Sequence, residues 1–504
     1  MTRITPLLLA QVFLLPAVCL GGPLLETEDF KLSMDSYFRT DVVALKNTVG
    51  LDSSNKDDST VYLGIDYNLG FTYESKNSAA RAFLKLERNG PGDYDAPLFI
   101  HNTLINSGGR IERYRNEQLL PQVEEAWLDL PLVRNFGLKT GLYTYEVGYG
   151  FSLNGSFENF GMTLYRENEG ALWRIYYCRP EVVYKNPLGP HIPQDQDQGY
   201  FYHHNASNFF GTDVKFGKED NYLQPYAGAL VDYTSSGKRD NFFSAPIKRD
   251  ILGTYGVAWS LKQEKSFLKF EAASNFGKGQ SESADFEDIY HTGYLVYIAG
   301  GHESGKLVSS LHFVLASGNK VTPDMALNED TTLSSSKNRA FSSSSPFNDN
   351  ISTTIAACNS EERPVVFMGS GCGLHTGIAR PETLGASDFD NLLMPSLVFD
   401  YALTPKAKLG LYNYYIRSFA RPVGTLDGEA RYLSRELGYE LDTTLDYKVN
   451  PHLTFSFLGG YFLPGKYYKE RRDDINGSLF SPFLRGDGKA DAAYQLELSM
   501  EITF

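Results

Sequence analysis

Cysteine and tryptophan are scarce, with four Cys and three Trp in 504 residues. After Cys19 only Cys178, Cys358 and Cys372 remain. That excludes a disulfide-dense scaffold, and no Cys/His set has the spacing of a metal centre. Long apolar runs are missing as well. No internal stretch reaches the roughly 18 apolar residues that a membrane-crossing helix needs. An excess of basic residues is also absent: 47 Lys+Arg against 61 Asp+Glu give a formal net charge of -14. This balance argues against nonspecific binding to nucleic acid or to anionic headgroups, so no nucleic-acid partner is expected. No residue pattern points to a cofactor.

Aromatic residues and glycine are plentiful, with 33 Tyr, 33 Phe and 46 Gly. Such usage suits many short strands whose ends are rich in Tyr and Phe. The opening "MTRITPLLLAQVFLLPAVCLGG" has one positive charge at Arg3 and a mostly apolar stretch from Leu7 to Leu20. It reads as a secretory signal peptide over 1–22, with no clear small-x-small cleavage site. In an oxidising compartment Cys358 and Cys372, 14 apart in a polar, Gly-rich segment, are a candidate disulfide that could staple their loop. Cys178 is left as a free thiol.

The dominant signal is period two. In "STVYLGIDYNLGFTY" one face carries Val61, Leu63, Ile65, Tyr67, Leu69 and Phe71. In "ELGYELDTTLDYK" it carries Leu437, Tyr439, Leu441, Leu445 and Tyr447, against Glu440, Asp442, Asp446 and Lys448. Eighteen such segments can be marked, from 30–42 through 136–145 to 491–504, and they are strands rather than helices. Links after even-numbered strands are short, such as "SKNSA", "PLVRN" and "KQEK". Those after odd-numbered strands are mostly long. One-sided elaboration of an antiparallel sheet is the pattern of a transmembrane β-barrel with tight periplasmic turns and long external loops. Closure follows because hydrocarbon offers no partner to an open backbone edge. The expected fold is all-β, an antiparallel transmembrane barrel of 18 strands over 28–504, acting as a monomeric channel in the outer membrane of a Gram-negative cell. The alternative is a soluble sandwich or lectin-like sheet protein.

Strict alternation in "DAAYQLELSMEITF" puts Tyr494, Leu496, Leu498, Met500, Ile502 and Phe504 on the lipid side. This ending is similar to the C-terminal aromatic signature that barrel-assembly machinery reads in outer-membrane proteins. Segment 317–390 is too long for an ordinary hairpin link. It is expected to be an extracellular loop or one that folds into the pore, and "FMGSGCGL" within it could form a short extra strand.

The opposite parity faces the lumen. It assigns Arg39, Arg81, Lys85, Glu125, Asp129, Lys139, Arg174, Lys215, Lys269, Lys408, Glu440 and Asp442 to the pore lining. Opposite charges on adjacent strands can pair across the wall, and a wide, wetted pore would hydrate the rest. The basic subset could form a ladder of weak anion sites. Candidate catalytic pieces, His203, His204, Ser207, Asp213, Cys372 and His375, lack the setting of a known nucleophile or metal motif, so no enzyme is expected and no catalytic residue is named.

Three stretches resemble the alginate-export family of outer-membrane barrels. They are "LGYELDTTLDYKVNPHLTFSFLGGYFLPGKYYKE" (437–470), "EEAWLDLPLVRNFGLKTGLY" (124–143) and "LASGNKVTPD" (315–324). The resemblance implies an 18-stranded monomeric barrel with an electropositive constriction. Gly141-Leu142-Tyr143 and Asn319 depart from the family pattern. Together these readings predict a passive outer-membrane channel for hydrophilic, anionic saccharide solutes. The alternatives are a general or substrate-specific small-solute porin, and a structural or adhesive surface barrel. Expected partners are outer-membrane lipid and lipopolysaccharide, a saccharide or small hydrophilic solute, the barrel-assembly machinery and periplasmic export components.

Overall fold

The computed structural model describes residues 22–47, 51, 53, 59–89, 122–156, 161–178, 207–218, 220–232, 247–281, 288–320, 322–323, 337–339, 341, 391–471 and 487–503. Residues 1–21 of the expected signal sequence, both disulfide candidates Cys358 and Cys372, the stretch 367–374 and Phe504 lie outside them.

Eighteen strands form the wall. They are β1 (Phe30–Lys46), β2 (Ser59–Ser75), β3 (Arg81–Asn89), β4 (Gln122–Pro131), β5 (Phe136–Leu142) and β6 (Gly161–Asn168). Next come β7 (Ala171–Cys178), β8 (Ser207–Lys218), β9 (Asn221–Asp232), β10 (Ile247–Gln263), β11 (Ser266–Ser281) and β12 (Tyr294–Ser304). The last are β13 (Leu307–Ala316), β14 (Leu392–Thr404), β15 (Ala407–Ser418), β16 (Glu436–Asn450), β17 (Leu453–Pro464) and β18 (Ala493–Thr503). Each pairs antiparallel with the next. The series continues through β10 to β18. The last strand returns to the first, from Tyr37↔Thr503 to Lys46↔Tyr494. The sheet has no open side along the wall.

The links obey the predicted asymmetry. Residues 76–80 join β2 to β3 and 132–135 join β4 to β5, while the other even-to-odd links have two residues each. Every odd-to-even link is longer, up to 317–391 between β13 and β14. By the rule that short turns lie on the periplasmic side, the long links are extracellular.

Exposure is inverted relative to a soluble protein. On β16 the outward column runs Tyr439, Leu441, Thr443, Leu445 and Tyr447, and its four apolar members are exposed while Glu440 and Asp442 are buried. On β18 Leu496 and Leu498 are exposed while Gln495 and Glu497 are buried. Tyr439 and Tyr447 are eight residues apart, roughly 27 Å along a strand. At a tilt of about 40° this spans roughly 20 Å of the membrane normal, near the height of an outer-membrane apolar band. The chain is an outer-membrane β-barrel: only a hydrocarbon solvent makes this exterior favourable, and only closure makes it tolerable.

Segment 317–341 begins as part of the extracellular rim. Ser317 Oγ donates to Arg339 O (2.7 Å), Asn319 Oδ1 accepts from Arg339 N (2.6 Å), and Phe341 N bonds Ser317 O (2.9 Å). Lys337–Asn338 then pairs in parallel with Ile289–His291, where His291 Nε2 lies 2.7 Å from Asp250 Oδ1. The "SGN" of the third family-like stretch is therefore a buried clamp at the foot of the long loop.

Candidate functional site

Channels are defined by what narrows them, and among the described residues the link between β5 and β6 enters the lumen. Gly141 sits near the end of β5 at φ +124, where a Cβ would come within 2.2 Å of Ala126 O. Only glycine takes this conformation comfortably, and just past it the chain leaves the wall. Thr144–Val147 then pairs with Leu153–Ser156 as a separate two-stranded hairpin. Its tip, "GYGFS", turns through Gly148 (φ +66) and Gly150 (φ +76).

The hairpin folds into the lumen, because the wall side chains it bonds and packs against are on the inward parity. Tyr149 N donates to Glu271 Oε2 (2.7 Å) and Ser152 Oγ donates to Glu271 Oε1 (2.7 Å). Tyr226 OH donates to the same Oε1 (2.6 Å) and also meets Ser152 Oγ. Gly148 N bonds Gln224 Oε1 (3.2 Å), and Tyr149 OH reaches Trp259 O (2.9 Å). A Cβ at Gly148 would lie 2.7 Å from Glu271 Oε2, so the tip approaches that carboxylate as only glycine can. Phe151 and Tyr149 pack on Tyr297, with ring centroids 4.7 and 5.4 Å away. Glu271 is fully buried; three hydrogen bonds to one carboxylate meet the requirement for holding such a group away from water.

Around this hairpin three lysines of the predicted lining sit over aromatic rings. Lys139 Nζ lies 4.1 Å from the Trp127 centroid and 4.6 Å from that of Tyr143. Lys215 lies 4.1 Å over Tyr222, and Lys269 lies 5.7 Å from both Tyr149 and Phe267. Tyr149 packs against Tyr222 at 6.3 Å, so the last two lysines flank one aromatic pair. Cation–π contact holds an ammonium in place over a ring face. Burial raises the Tyr143 and Tyr149 phenols above their ordinary range. Both stay neutral near physiological pH and offer ring faces and hydroxyls, the Tyr143 hydroxyl lying 2.6 Å from Thr163 Oγ1.

The other predicted lining residues also fall on the inward parity, but many are spoken for. Asp213 accepts from Arg174 Nε (3.0 Å) and Nη2 (3.1 Å), from Gln224 Nε2 (2.8 Å) and from Tyr176 OH. Its fully buried side chain is thus one end of a structural knot rather than a catalytic group. Arg39 bonds Asp41 Oδ1 (2.7 Å) and Glu497 Oε1. Lys408 lies 3.4 Å from Asp400, Arg81 lies 3.2 Å from Glu74, and Trp127 Nε1 donates to Glu125 (3.1 Å). Asp129 accepts from Tyr165 OH (2.7 Å). Lys85 stands opposite Glu125 in the ladder.

The expectation of a wide, wetted pore is not met at Glu440 and Asp442. They are 2% and 0% exposed, so solute does not reach them. The reason is a cluster of inward apolar groups, among them Tyr412, Tyr414, Phe462, Tyr467 and Tyr468. The last two come from the short 3-10 turn Lys466–Lys469 in the link between β17 and β18. Neither the hairpin's seat nor this filling is legible in the sequence. The one available sign was "VGYG" at 147–150, two glycines between alternating runs, which is itself a hairpin signal.

Among the described residues no group of three or more His, Cys, Asp or Glu could hold a metal ion. His203, His204 and His375 lie outside the described residues.

No family model matches the chain, and neither does any curated protein. The resemblance to the alginate-export family thus gains no support. Among solved structures, Pseudomonas aeruginosa OccK2 (OpdF) in complex with glucuronate is similar at 9% identity and TM-score 0.49, over 94% of this chain and 98% of that one. A BenF-like porin from Pseudomonas fluorescens Pf-5 is similar at 9% identity and TM-score 0.48, over 94% and 99%. Acinetobacter baumannii OccAB3 is similar at 10% identity and TM-score 0.48, over 94% and 99%. Likenesses at this level concern overall form and carry no weight for substrate.

Proposed function

We propose that the barrel is a selective passive channel for small hydrophilic solutes, with anionic ones favoured. One observation carries this reading: the hairpin tip crosses the lumen to Glu271 with Lys139, Lys215 and Lys269 stacked on rings around it. A narrowed lumen with ammonium groups fixed over ring faces attracts anions and holds them weakly enough to let them leave. An aromatic and hydroxyl lining suits a solute with both polar groups and ring faces.

Export of an anionic polymer fits less well, because a hairpin tip fastened inside the lumen narrows the path of a chain. A purely adhesive barrel has no use for a polar anchor this deep in the lumen. Flux would follow the solute gradient. Outer-membrane lipid, lipopolysaccharide and the barrel-assembly machinery are the partners this role requires; a periplasmic export apparatus is not needed.

Planar-bilayer recording with a salt gradient tests the reading. The expected result is discrete conductance with a reversal potential on the anion side, blocked by a monomeric uronate at lower concentration than by uronate oligomers. Absence of conductance, or cation preference, would overturn it.

A further inference from the structure

The extracellular ends of β15 to β17 carry positive charge that faces away from the lumen. On β15 the inward side chains of Ile416 and Ser418 are buried, so Arg417 between them is on the outward parity, just beyond Tyr415. Tyr415 packs on Tyr439 of β16 with ring centroids 4.8 Å apart. On β17 the outward column includes Phe455, Tyr461 and Leu463, all exposed. From Phe455 to Leu463 this column covers roughly 20 Å of the membrane normal at a tilt of about 40°. The apolar band therefore ends near Leu463, and the chain passes directly into the 3-10 turn Lys466–Lys469.

In a 3-10 turn, side chains three residues apart eclipse one another. Lys466 and Lys469 thus share a face, and both are exposed, while Tyr467 and Tyr468 between them are buried in the filling of the lumen. The two ammonium groups lie on the exterior side. Residues 417–436 and 466–470 together hold Arg417, Arg421, Arg431, Arg435, Lys466 and Lys469 against Asp427, Glu429, Glu436 and Glu470. Among the described residues none of these six cations is in an ion pair, and Glu470 Oε2 accepts from Ser434 N instead (2.9 Å). This surplus is local, in a chain whose net charge is -14. At the same end of β6 to β9 the outward residues Met162, Tyr177, Phe210 and Val231 are uncharged.

We infer that this shoulder binds the phosphorylated headgroup of lipid A, the glycolipid of the outer leaflet, with its acyl chains along the outward columns of β15 to β17. Long basic side chains at a membrane boundary lay their stems on apolar surface and their charges among the headgroups. Lipid A is an acylated disaccharide with a phosphate at each end. It calls for cations set directly above an apolar wall, and that is the arrangement at Arg417, Lys466 and Lys469. A soluble anion would make no use of Tyr415, Tyr439 and Leu463 beneath them. A solute in the lumen does not meet the turn's lysines, because Tyr467 and Tyr468 stand between. The inference does not depend on what passes through the channel.

The test uses the full chain in detergent, with lipid retention read by native mass spectrometry. Bisphosphorylated lipid A is compared with its phosphate-free form, with phosphatidylglycerol and with inorganic phosphate. The variant is Arg417→Gln, Lys466→Gln, Lys469→Gln, the control is Lys262→Gln at the periplasmic end, and folding is checked by the gel shift of the unboiled barrel. The triple substitution should weaken lipid A retention about a hundredfold, removal of both phosphates from the lipid should do the same, and Lys262→Gln should have no effect. If the triple variant does not fold, Lys466→Gln, Lys469→Gln decides, since it leaves the wall strands untouched. Equal retention by variant and native protein would overturn the proposal. So would equal binding of phosphate-free lipid A or of phosphatidylglycerol, or displacement of lipid A by inorganic phosphate alone. A shifted reversal potential in the variant would put these cations on the solute path and overturn their outward assignment.

Discussion

Tyr149 gives its backbone N–H to Glu271 at 2.7 Å although 122 residues separate them. The contact spans from the hairpin after β5 to a strand six steps further round the wall. Glu271 is the group on which tip and wall meet, since Ser152 and Tyr226 share its other oxygen.

Replacing Glu271 by Ala should free the hairpin. The loss leaves the Tyr149 N–H without its acceptor, at about 1–3 kcal/mol while it stays buried, and leaves the Ser152 and Tyr226 hydroxyls to bond each other. The expected outcome is higher and noisier single-channel conductance with weaker ion selectivity, while the gel shift of the folded barrel persists. Glu271→Gln keeps one carbonyl acceptor and should fall between Ala and the native protein. Unaltered conductance in Glu271→Ala would show that the hairpin does not gate flow.

Charge at the constriction can be tested apart from its width. The triple variant Lys139→Met, Lys215→Met, Lys269→Met retains side-chain bulk over Trp127, Tyr222 and Tyr149 but removes three ammonium groups. The reversal potential should move toward cation preference with little change in conductance at high salt, where screening already weakens these charges. A reversal potential that stays put would assign selectivity elsewhere.

Arg174→Ala should be costly to the fold. It strips Asp213, whose side chain is fully buried, of its guanidinium partner, and removing one member of a buried pair costs about 3–5 kcal/mol. Lys262→Ala breaks a pair of similar length with Asp220, but both side chains are more than half exposed. That variant should be nearly silent. Denaturant unfolding in detergent or lipid will separate the two; equal stability would mean that the lumen around Asp213 is wetter than its packing implies.

The wall's two faces should respond oppositely to the same residue. Leu498 points into lipid and Ser499 into the lumen. Leu498→Arg should cost about 2–4 kcal/mol if it lies near the bilayer midplane. Ser499→Arg, beside Glu497, should cost far less. Refolding into vesicles of increasing acyl length should sharpen the contrast for Leu498 alone.

Fold class could be read from the residues because its cause is local. Alternation at Tyr494, Leu496 and Leu498, or at Tyr439 and Leu441, records which side of a strand meets hydrocarbon. Each strand carries that record without reference to its neighbours. Strand number and link asymmetry follow, and the whole predicted lining falls on the inward parity. What that lining does was not legible. Asp213 and Arg174 look like two more pore charges until the ladder sets them face to face. Glu440 and Asp442 look wetted until Tyr412, Phe462 and the Lys466–Lys469 turn fill the space before them.

The sequence by itself determined a closed wall with an oily outside and a polar inside, since a period of two survives any arrangement of the strands. The tertiary structure decided where the channel narrows, which charges remain open to solute and how the seam is registered. Those depend on pairs such as Tyr149 with Glu271 and Arg39 with Glu497. No periodicity encodes the meeting of one particular residue with another across a lumen or along a shared edge.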